Sequence, residues 1–179
     1  MRFLSKALQQ RVQPLEYRQG ELHLYQGIRY PLMINITTGK KNPVIHTAHE
    51  FIVNTHSAKP AKVEALLQAW YQRQAFIVFD ERLKTVAARA DWVGERQVPL
   101  KLRRMKRTWG NCSSSGVIKL NTHLIKAPTP VIDSVIAHEL CHLVEMNHGR
   151  GFYRLLSTLN PDWQQHRQQL LADGSKYLN

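Results

Sequence analysis

Three histidines and a glutamate near residue 140 form a pattern that can carry out metal chemistry. His138 and His142 stand four residues apart, and Glu139 directly follows the first of them. On a helix, side chains four residues apart share one face, so both imidazoles can reach one ion at about 2.0–2.1 Å. The glutamate can stand beside that ion without binding it and take a proton from a water that the ion activates. The pattern therefore predicts a hydrolytic metal site.

The third ligand is predicted to be His148. Asn147 is a natural left-handed helix terminator, so the chain would turn back and bring His148 to the ion. No glutamate follows Glu145, which excludes a glutamate from a later helix as the ligand. His166 and Asp162 are the alternatives to His148. Glu145 itself is interpreted as a solvated charge, a hydrogen-bonding partner of the site or a fourth ligand.

Zinc is the predicted cofactor, because three protein ligands and one position for water are the arrangement of a catalytic zinc. Three imidazoles also accept nickel, cobalt, manganese or iron. An isolated His-Glu-x-x-His pattern can arise by chance on an amphipathic helix. Here the histidines stand in an apolar segment, which is predicted to be a helix from about residue 130 to about 146 that begins at Thr129 and Pro130.

The elements that must position this site follow from the apolar pattern of the rest of the chain. Short β-like runs within residues 21–54 predict an antiparallel meander, and helical spacing from Pro60 predicts a long amphipathic helix to about residue 90. Residues 103–109 and 117–121 are predicted to form a hairpin, followed by the metal helix and a last helix over about residues 162–172. The expected fold class is α+β. Residues 1–58 would form an N-terminal antiparallel β-rich extension and residues 59–179 the catalytic domain, or both together one compact unit.

Two segments of the chain carry a resemblance to a known family. Residues 102–114 include the run Thr108-Trp109-Gly110-Asn111-Cys112, and residues 138–148 contain the histidines. Together with Ile118-Lys119-Leu120-Asn121, they resemble the YgjP-like family of metal-dependent hydrolases, relatives of the SprT and WLM metallopeptidases. The resemblance is dense over roughly residues 98–165. It implies a zincin-like catalytic core, with His138, His142 and His148 as metal ligands and Glu139 as the base.

Composition agrees with a folded intracellular enzyme. The chain has 179 residues, of which 43% are hydrophobic, so disorder is not expected. Its start has no apolar run typical of a secretion signal, and no later stretch approaches the roughly 18 apolar residues of a membrane span. We therefore expect a cytoplasmic protein that does not enter the membrane. Cys112 and Cys141 are interpreted as reduced packing residues rather than as a disulfide or a paired metal motif.

The positive charge of the chain is concentrated just before the Trp-Gly-Asn-Cys run. The net charge is +12, and five cations fall within residues 101–107. In an extended strand these side chains would point to both faces, so some are expected to face the cleft. The predicted substrate-binding residues are therefore Arg103, Arg104, Lys106, Arg107 and Trp109. The alternative is that the cations provide only solubility or nonspecific affinity for nucleic acid.

Three functions compete on these observations. The first is a zinc metallopeptidase that acts on a peptide or protein, with Tyr153, Arg154 or His166 as the donor that stabilises the transition state. The second keeps the metal but takes an anionic small molecule, a nucleoside polyphosphate, as the substrate. The third is a basic nucleic-acid-binding module with a structural metal. The metallopeptidase is favoured, because the His-Glu-x-x-His helix and the related peptidases both indicate amide hydrolysis.

Overall fold

A computed structural model of the protein describes residues 13–38 and 42–178. The prediction that the start of the chain contains no secretion signal concerns residues 1–10, which lie outside the described residues. Runs of strands and runs of helices follow one another along the chain and form two separate sheets, which confirms the α+β class. The elements are β1 (Leu22–Tyr25), β2 (Ile28–Ile36), β3 (Val44–His46), β4 (Phe51–Thr55), α1 (Pro60–Ala87), β5 (Leu100–Arg103), β6 (Gly110–Cys112), β7 (Ile118–Asn121), a 3-10 helix (Thr122–Lys126), α2 (Thr129–Cys141), α3 (Arg150–Leu159) and α4 (Trp163–Tyr177).

The N-terminal strands form a four-stranded sheet in the order β1-β2-β4-β3. β1 and β2 are antiparallel and so are β3 and β4, but β2 and β4 pair in parallel from Leu32↔Phe51 to Ile36↔Thr55. The predicted antiparallel meander is therefore wrong in its middle step. β4 buries four of its five residues and takes the interior position, while the three-residue β3 is left at the edge.

The β1–β2 turn docks this sheet onto the segment that leads into the metal helix. Gln26 and Gly27 both have positive φ, 47° and 84°, as a tight hairpin turn requires. Their N–H groups donate to the carbonyl oxygens of Ile125 and Lys126, at 3.0 and 2.9 Å. A Cβ at Gly27 would lie 2.7 Å from Cγ of Pro128, so only glycine allows this close approach.

The hydrophobic core is continuous across residue 58. Phe51 of β4 packs against Trp70 of α1 with ring centroids 5.0 Å apart, and the hydroxyl of Tyr71 donates to the carbonyl oxygen of Leu24 at 2.6 Å. The same buried cluster extends to Ile136 of α2. The division into residues 1–58 and 59–179 stays a prediction, and the packing shows one core on both sides of it.

The second sheet places the Trp-Gly-Asn-Cys run beside the metal helix. Its order is β5-β7-β6, with β5 parallel and β6 antiparallel to β7. The predicted strand over residues 103–109 is wrong, because β5 ends at Arg103 and the chain must cross to the other side of β7 before β6 begins at Gly110. Asn121 holds this crossing: its Nδ2 donates to the carbonyl oxygens of Met105 and Thr108, at 2.8 and 3.1 Å. The hairpin prediction is correct only for β6 and β7.

The helices differ from the sequence-based prediction at their ends. The N-cap of α2 is Pro128, one residue before the predicted Thr129. The helix ends at Cys141 rather than near residue 146, because the hydrogen bonds change there from the α-helical to the 3-10 pattern. The N–H of Leu143 donates to the carbonyl oxygen of Leu140, three residues back, at 3.1 Å. Asn147 does not adopt the predicted left-handed backbone conformation. Among the described residues other than glycine, only Tyr17 and Gln26 have a positive φ.

The C-terminal region contains one helix more than predicted. α3 buries Phe152, Leu156 and Leu159, a helical spacing that is readable in the sequence. α4 continues to Tyr177, beyond the predicted end near residue 172. Among the helices in the described ranges, none combines the length and the apolarity needed to cross a membrane.

Candidate metal centre

Three imidazoles converge where α2 ends and the chain returns toward α3. His138 lies on α2, His142 is its C-cap residue, and His148 stands just before α3. One ring nitrogen from each lies within 4.8 Å of the others, and Nε2 of His138 is 3.1 Å from Nε2 of His148. Two ligands of a tetrahedral zinc at about 2.0–2.1 Å are separated by about 3.3 Å. The donor set therefore fits a divalent ion of this size.

Neighbouring groups orient the three rings toward a common point. Nδ1 of His142 is 2.9 Å from the carbonyl oxygen of Glu145, so an Nδ1–H group can donate there and would leave Nε2 available to an ion. Phe152 packs under all three rings, with centroids 4.9 Å from His138, 4.8 Å from His142 and 4.6 Å from His148. The three rings are thus held by packing, and His142 is held by the hydrogen bond as well.

The electrostatics of the site favour the neutral forms of His138 and His148. Burial, with smaller contributions from neighbouring charges that include Arg167, lowers the pKa of His138 to about 2. Burial and the neighbouring His142 also lower the pKa of His148. A neutral imidazole has a lone pair to offer, so the site is prepared for a cation before one arrives.

Glu139 lies beside the donors and is not one of them. Its side chain is 1% exposed and lines the same pocket as the histidines. It packs directly against β6, since a Cβ at Gly110 would lie 2.8 Å from Oε1 and 2.9 Å from Cγ of Glu139. Glycine in the Trp-Gly-Asn-Cys run is therefore what allows the strand to hold this carboxylate in place.

The metal pocket is a cleft of about 700 Å³ between β6, α2 and α4. Its lining includes Trp109, which is 2% exposed and packs against Gly174 and Tyr177 of α4. β6 is an edge strand of its sheet, and all three of its residues, Gly110, Asn111 and Cys112, line the cleft. A substrate in this cleft would therefore lie along a strand.

The predicted cationic residues lie elsewhere. Arg103, Arg104, Lys106 and Arg107 are exposed, and none of them lines the metal pocket. These cations lie away from the cleft because β5 ends at Arg103. The following cations therefore belong to the loop over residues 104–109, which crosses to the other side of β7. Their role in substrate binding stays a prediction. The cleft instead contains Arg167, a residue of α4 that the sequence analysis did not identify.

The other predicted residues fall into two groups. Tyr153 lines the cleft, with its ring centroid 6.4 Å from that of His148, and it stacks on Trp163 at 5.1 Å. Arg154 and His166 do not line the cleft, and neither His166 nor Asp162 joins the converging donors of the described chain.

Glu145 is also outside the group of converging donors. Its carboxylate packs against Gly151 in the first turn of α3, where an added Cβ would collide with it. A carboxylate at this end of a helix interacts favourably with the helix dipole. The position of the Glu145 carboxylate thus indicates that it stabilises the start of α3. The main-chain carbonyl oxygen of Glu145 is in addition the hydrogen-bond partner of His142.

Comparison with known proteins gives three findings. The family model described as "YgjP-like, metallopeptidase domain" matches residues 2–173. The UTP pyrophosphatase of Escherichia coli (strain K12) is 32% identical over 56 residues, which are 31% of this chain and 34% of that protein, so the match spans about a third of the curated relative. The crystal structure of the metallopeptidase zymogen of Pyrococcus abyssi abylysin aligns with a TM-score of 0.49 and 18% identity over 53% of this chain and 93% of that one. Since the family match covers nearly all of its residues, this chain belongs to the YgjP-like family.

Proposed function

We propose that the protein is a zinc-dependent peptidase that binds its substrate as an extended strand alongside β6. The observation that supports this most strongly is the position of β6, an edge strand of its sheet, along one wall of the metal pocket. Strand addition is a common way to bind a peptide, because it uses main-chain hydrogen bonds that any sequence can make. Family membership adds support for hydrolytic chemistry.

The ladder between β6 and β7 sets which main-chain groups can bind a substrate. The N–H of Asn121 donates to the carbonyl oxygen of Trp109 at 2.8 Å, and that of Ser113 to the carbonyl oxygen of Val117 at 3.0 Å. Bonded pairs alternate along an antiparallel ladder, so the main-chain groups of Cys112 point away from β7. These groups are the proposed contacts to the substrate backbone.

Each residue of the centre has a proposed role in amide hydrolysis. His138, His142 and His148 would hold the ion, which when bound supplies a Lewis acid that polarises the scissile carbonyl and acidifies water. Glu139 takes a proton from the attacking water on its carboxylate and passes it to the leaving amine. The hydroxyl of Tyr153, which lines the same cleft, donates a hydrogen bond to the developing oxyanion.

Zinc and a cytoplasmic location are part of the proposal. An all-imidazole set of three ligands is a common catalytic zinc arrangement, although the same donors accept several other divalent ions. Cys112 and Cys141 are both free thiols, as expected in a reducing compartment.

A second candidate function is the hydrolysis of a nucleoside polyphosphate. Two observations favour it: the similarity to the UTP pyrophosphatase of Escherichia coli and the guanidinium of Arg167 in the metal pocket. Arginine binds phosphate oxygens in a bidentate manner. A triphosphate nevertheless carries several negative charges, and Arg167 is the sole Arg or Lys among the described residues that line the cleft. The peptidase is therefore preferred.

One experiment separates the two candidates. The metal-loaded protein and its Glu139→Gln variant are incubated with a panel of unstructured proteins and with the four nucleoside triphosphates, and the products are analysed by mass spectrometry and phosphate release. We expect peptide fragments from the parent protein and none from Glu139→Gln. Phosphate or pyrophosphate release that depends on Glu139, without any peptide cleavage, would establish the second function instead.

Arg167→Gln is the matched variant for this comparison. In a phosphohydrolase the loss of the guanidinium should raise KM for the nucleotide by about tenfold or more. In a peptidase acting on a neutral peptide, the same change should alter KM by less than about threefold, since an exposed charge contributes little to the binding of an uncharged chain.

A further inference from the structure

A second pocket lies away from the metal, between α1, the end of β5 and the 3-10 helix. It has a volume of about 400 Å³ and shares no lining residue with the metal pocket. Three of its lining residues are cations: Arg103, Arg104 and Lys126. The described lining residues include no Asp or Glu. The charged side chains among the described lining residues are therefore all cationic, and such a recess attracts anions.

The cations of this pocket act on one another. Lys126 is 3% exposed, and its Nζ lies 5.1 Å from the centre of the Tyr71 ring. Burial, with a smaller contribution from the charge of Arg104, lowers the pKa of Lys126 to about 8. Burial lowers the pKa of His123 to about 4, and Lys126 and Arg104 contribute in the same direction. Arg104 and Lys126 line the same recess, so one ligand there can contact both side chains.

Neutral hydrogen-bonding groups complete the lining. Thr122 adds a hydroxyl, and Gln68 and Gln72 add amides from two successive turns of α1. Nε2 of Gln68 already donates to the hydroxyl of Tyr17 at 3.2 Å, which holds that side chain in place. Guanidinium groups match the tetrahedral oxygens of phosphate, and an ammonium and a hydroxyl add point contacts.

We propose that this pocket binds the phosphate group of a small phosphorylated molecule, with Arg104 and Lys126 as the main contacts. The recessed position of Lys126 favours a small ligand over the backbone of a nucleic acid, which would meet the exposed Lys106 and Arg107 first. The site is independent of the metal centre and of the reaction that occurs there.

Titration calorimetry with inorganic phosphate at about 0.1 M salt tests the proposal, since this salt concentration screens diffuse surface attraction beyond roughly 10 Å. Arg104→Gln should weaken the Kd by about tenfold or more, because it removes a charged bidentate contact. Arg104 is exposed, so the variant is expected to fold. Arg107→Gln is the matched control: it removes the same charge from the same loop, but Arg107 does not line the pocket, and it should leave the Kd within about twofold.

Two further arms exclude other sources of binding. His142→Ala removes a metal ligand and should leave phosphate binding unchanged, whereas loss of binding in this variant would assign the phosphate to the metal centre. A single-stranded DNA 12-mer should bind equally well to Arg104→Gln and Arg107→Gln. The proposal is refuted if the parent protein binds no phosphate, or if the two arginine variants lose phosphate affinity equally.

Discussion

Replacing Gly110 by alanine would place a methyl group against the side chain of Glu139. The added Cβ would lie 2.8 Å from Oε1, 2.9 Å from Cγ and 3.1 Å from Cδ of that residue, and ordinary contacts begin at 3.4 Å. Three atoms of one side chain are too close, so a rotation of the carboxylate alone does not relieve the overlap. The side chain or the strand must shift by about 0.6 Å, the difference between 3.4 and 2.8 Å.

This shift should reduce turnover without removing the metal. A displacement of about 1 Å in a reacting group can cost about 100-fold in rate, and loss of a general base costs about 100-fold to 10,000-fold. We therefore expect Gly110→Ala to lower kcat by about 10-fold to 100-fold, and Glu139→Gln to lower it at least as much. The three atoms nearest to the new methyl group all belong to Glu139 and none to a histidine. The metal content should therefore stay the same.

The assay compares kcat on a cleaved peptide with the metal content of each purified variant. Gly149→Ala is the matched control, because a Cβ there meets no atom within 4 Å although the residue adjoins His148. It should keep the parent's kcat within about twofold, as expected for a methyl group added in open space. A Gly110→Ala protein with the parent's kcat would show that Glu139 is not held by β6 or is not the base.

Three further predictions concern the rest of the molecule. Asp133→Asn should lower the free energy of unfolding, measured in urea, by about 1–3 kcal/mol, because Arg82 of α1 donates to both carboxylate oxygens of Asp133, at 2.8 and 2.6 Å. An unchanged midpoint of the urea unfolding curve would contradict this link between α1 and α2. Gly27→Ala should lower the stability to thermal unfolding by at least about 1 kcal/mol, since φ of Gly27 is +84° and the new Cβ would lie 2.7 Å from Cγ of Pro128. A variant as stable as the parent would mean that the β1–β2 turn does not pack against Pro128. His123 has its pKa lowered by burial from 6.5 to about 4, so the unfolded chain takes up its proton first and stability should fall as pH drops from 6.5 to 4. His123→Gln should flatten that decline, and an identical pH profile would contradict the assignment.

Local spacing made the convergence of the three histidines predictable. His138 and His142 are separated by one helical turn, and this separation depends only on the helix that contains them. His148 follows within ten residues of His138, so the chain has little freedom to place it elsewhere. The long helix α1 was predictable for the same reason, since a period of 3.6 residues is visible without knowledge of any partner.

Non-local pairing was not predictable from the same patterns. The parallel arrangement of β5 and β7 requires the chain to cross at residues 104–109, and no period in the sequence marks that crossing. The prediction that the cations face the cleft depended on a strand that ends at Arg103. Arg167 was missed because its approach to the metal pocket depends on how α4 packs against α2.

Metal content by elemental analysis of three proteins tests the central claim most directly. The parent and Glu139→Gln should each hold about one zinc per chain after dialysis, because Glu139 is beside the donors and not among them. His148→Ala should hold far less, because a site with two imidazoles retains zinc poorly. A His148→Ala protein that keeps zinc as the parent does, or a Glu139→Gln protein that loses it, would contradict the assignment of ligands and base.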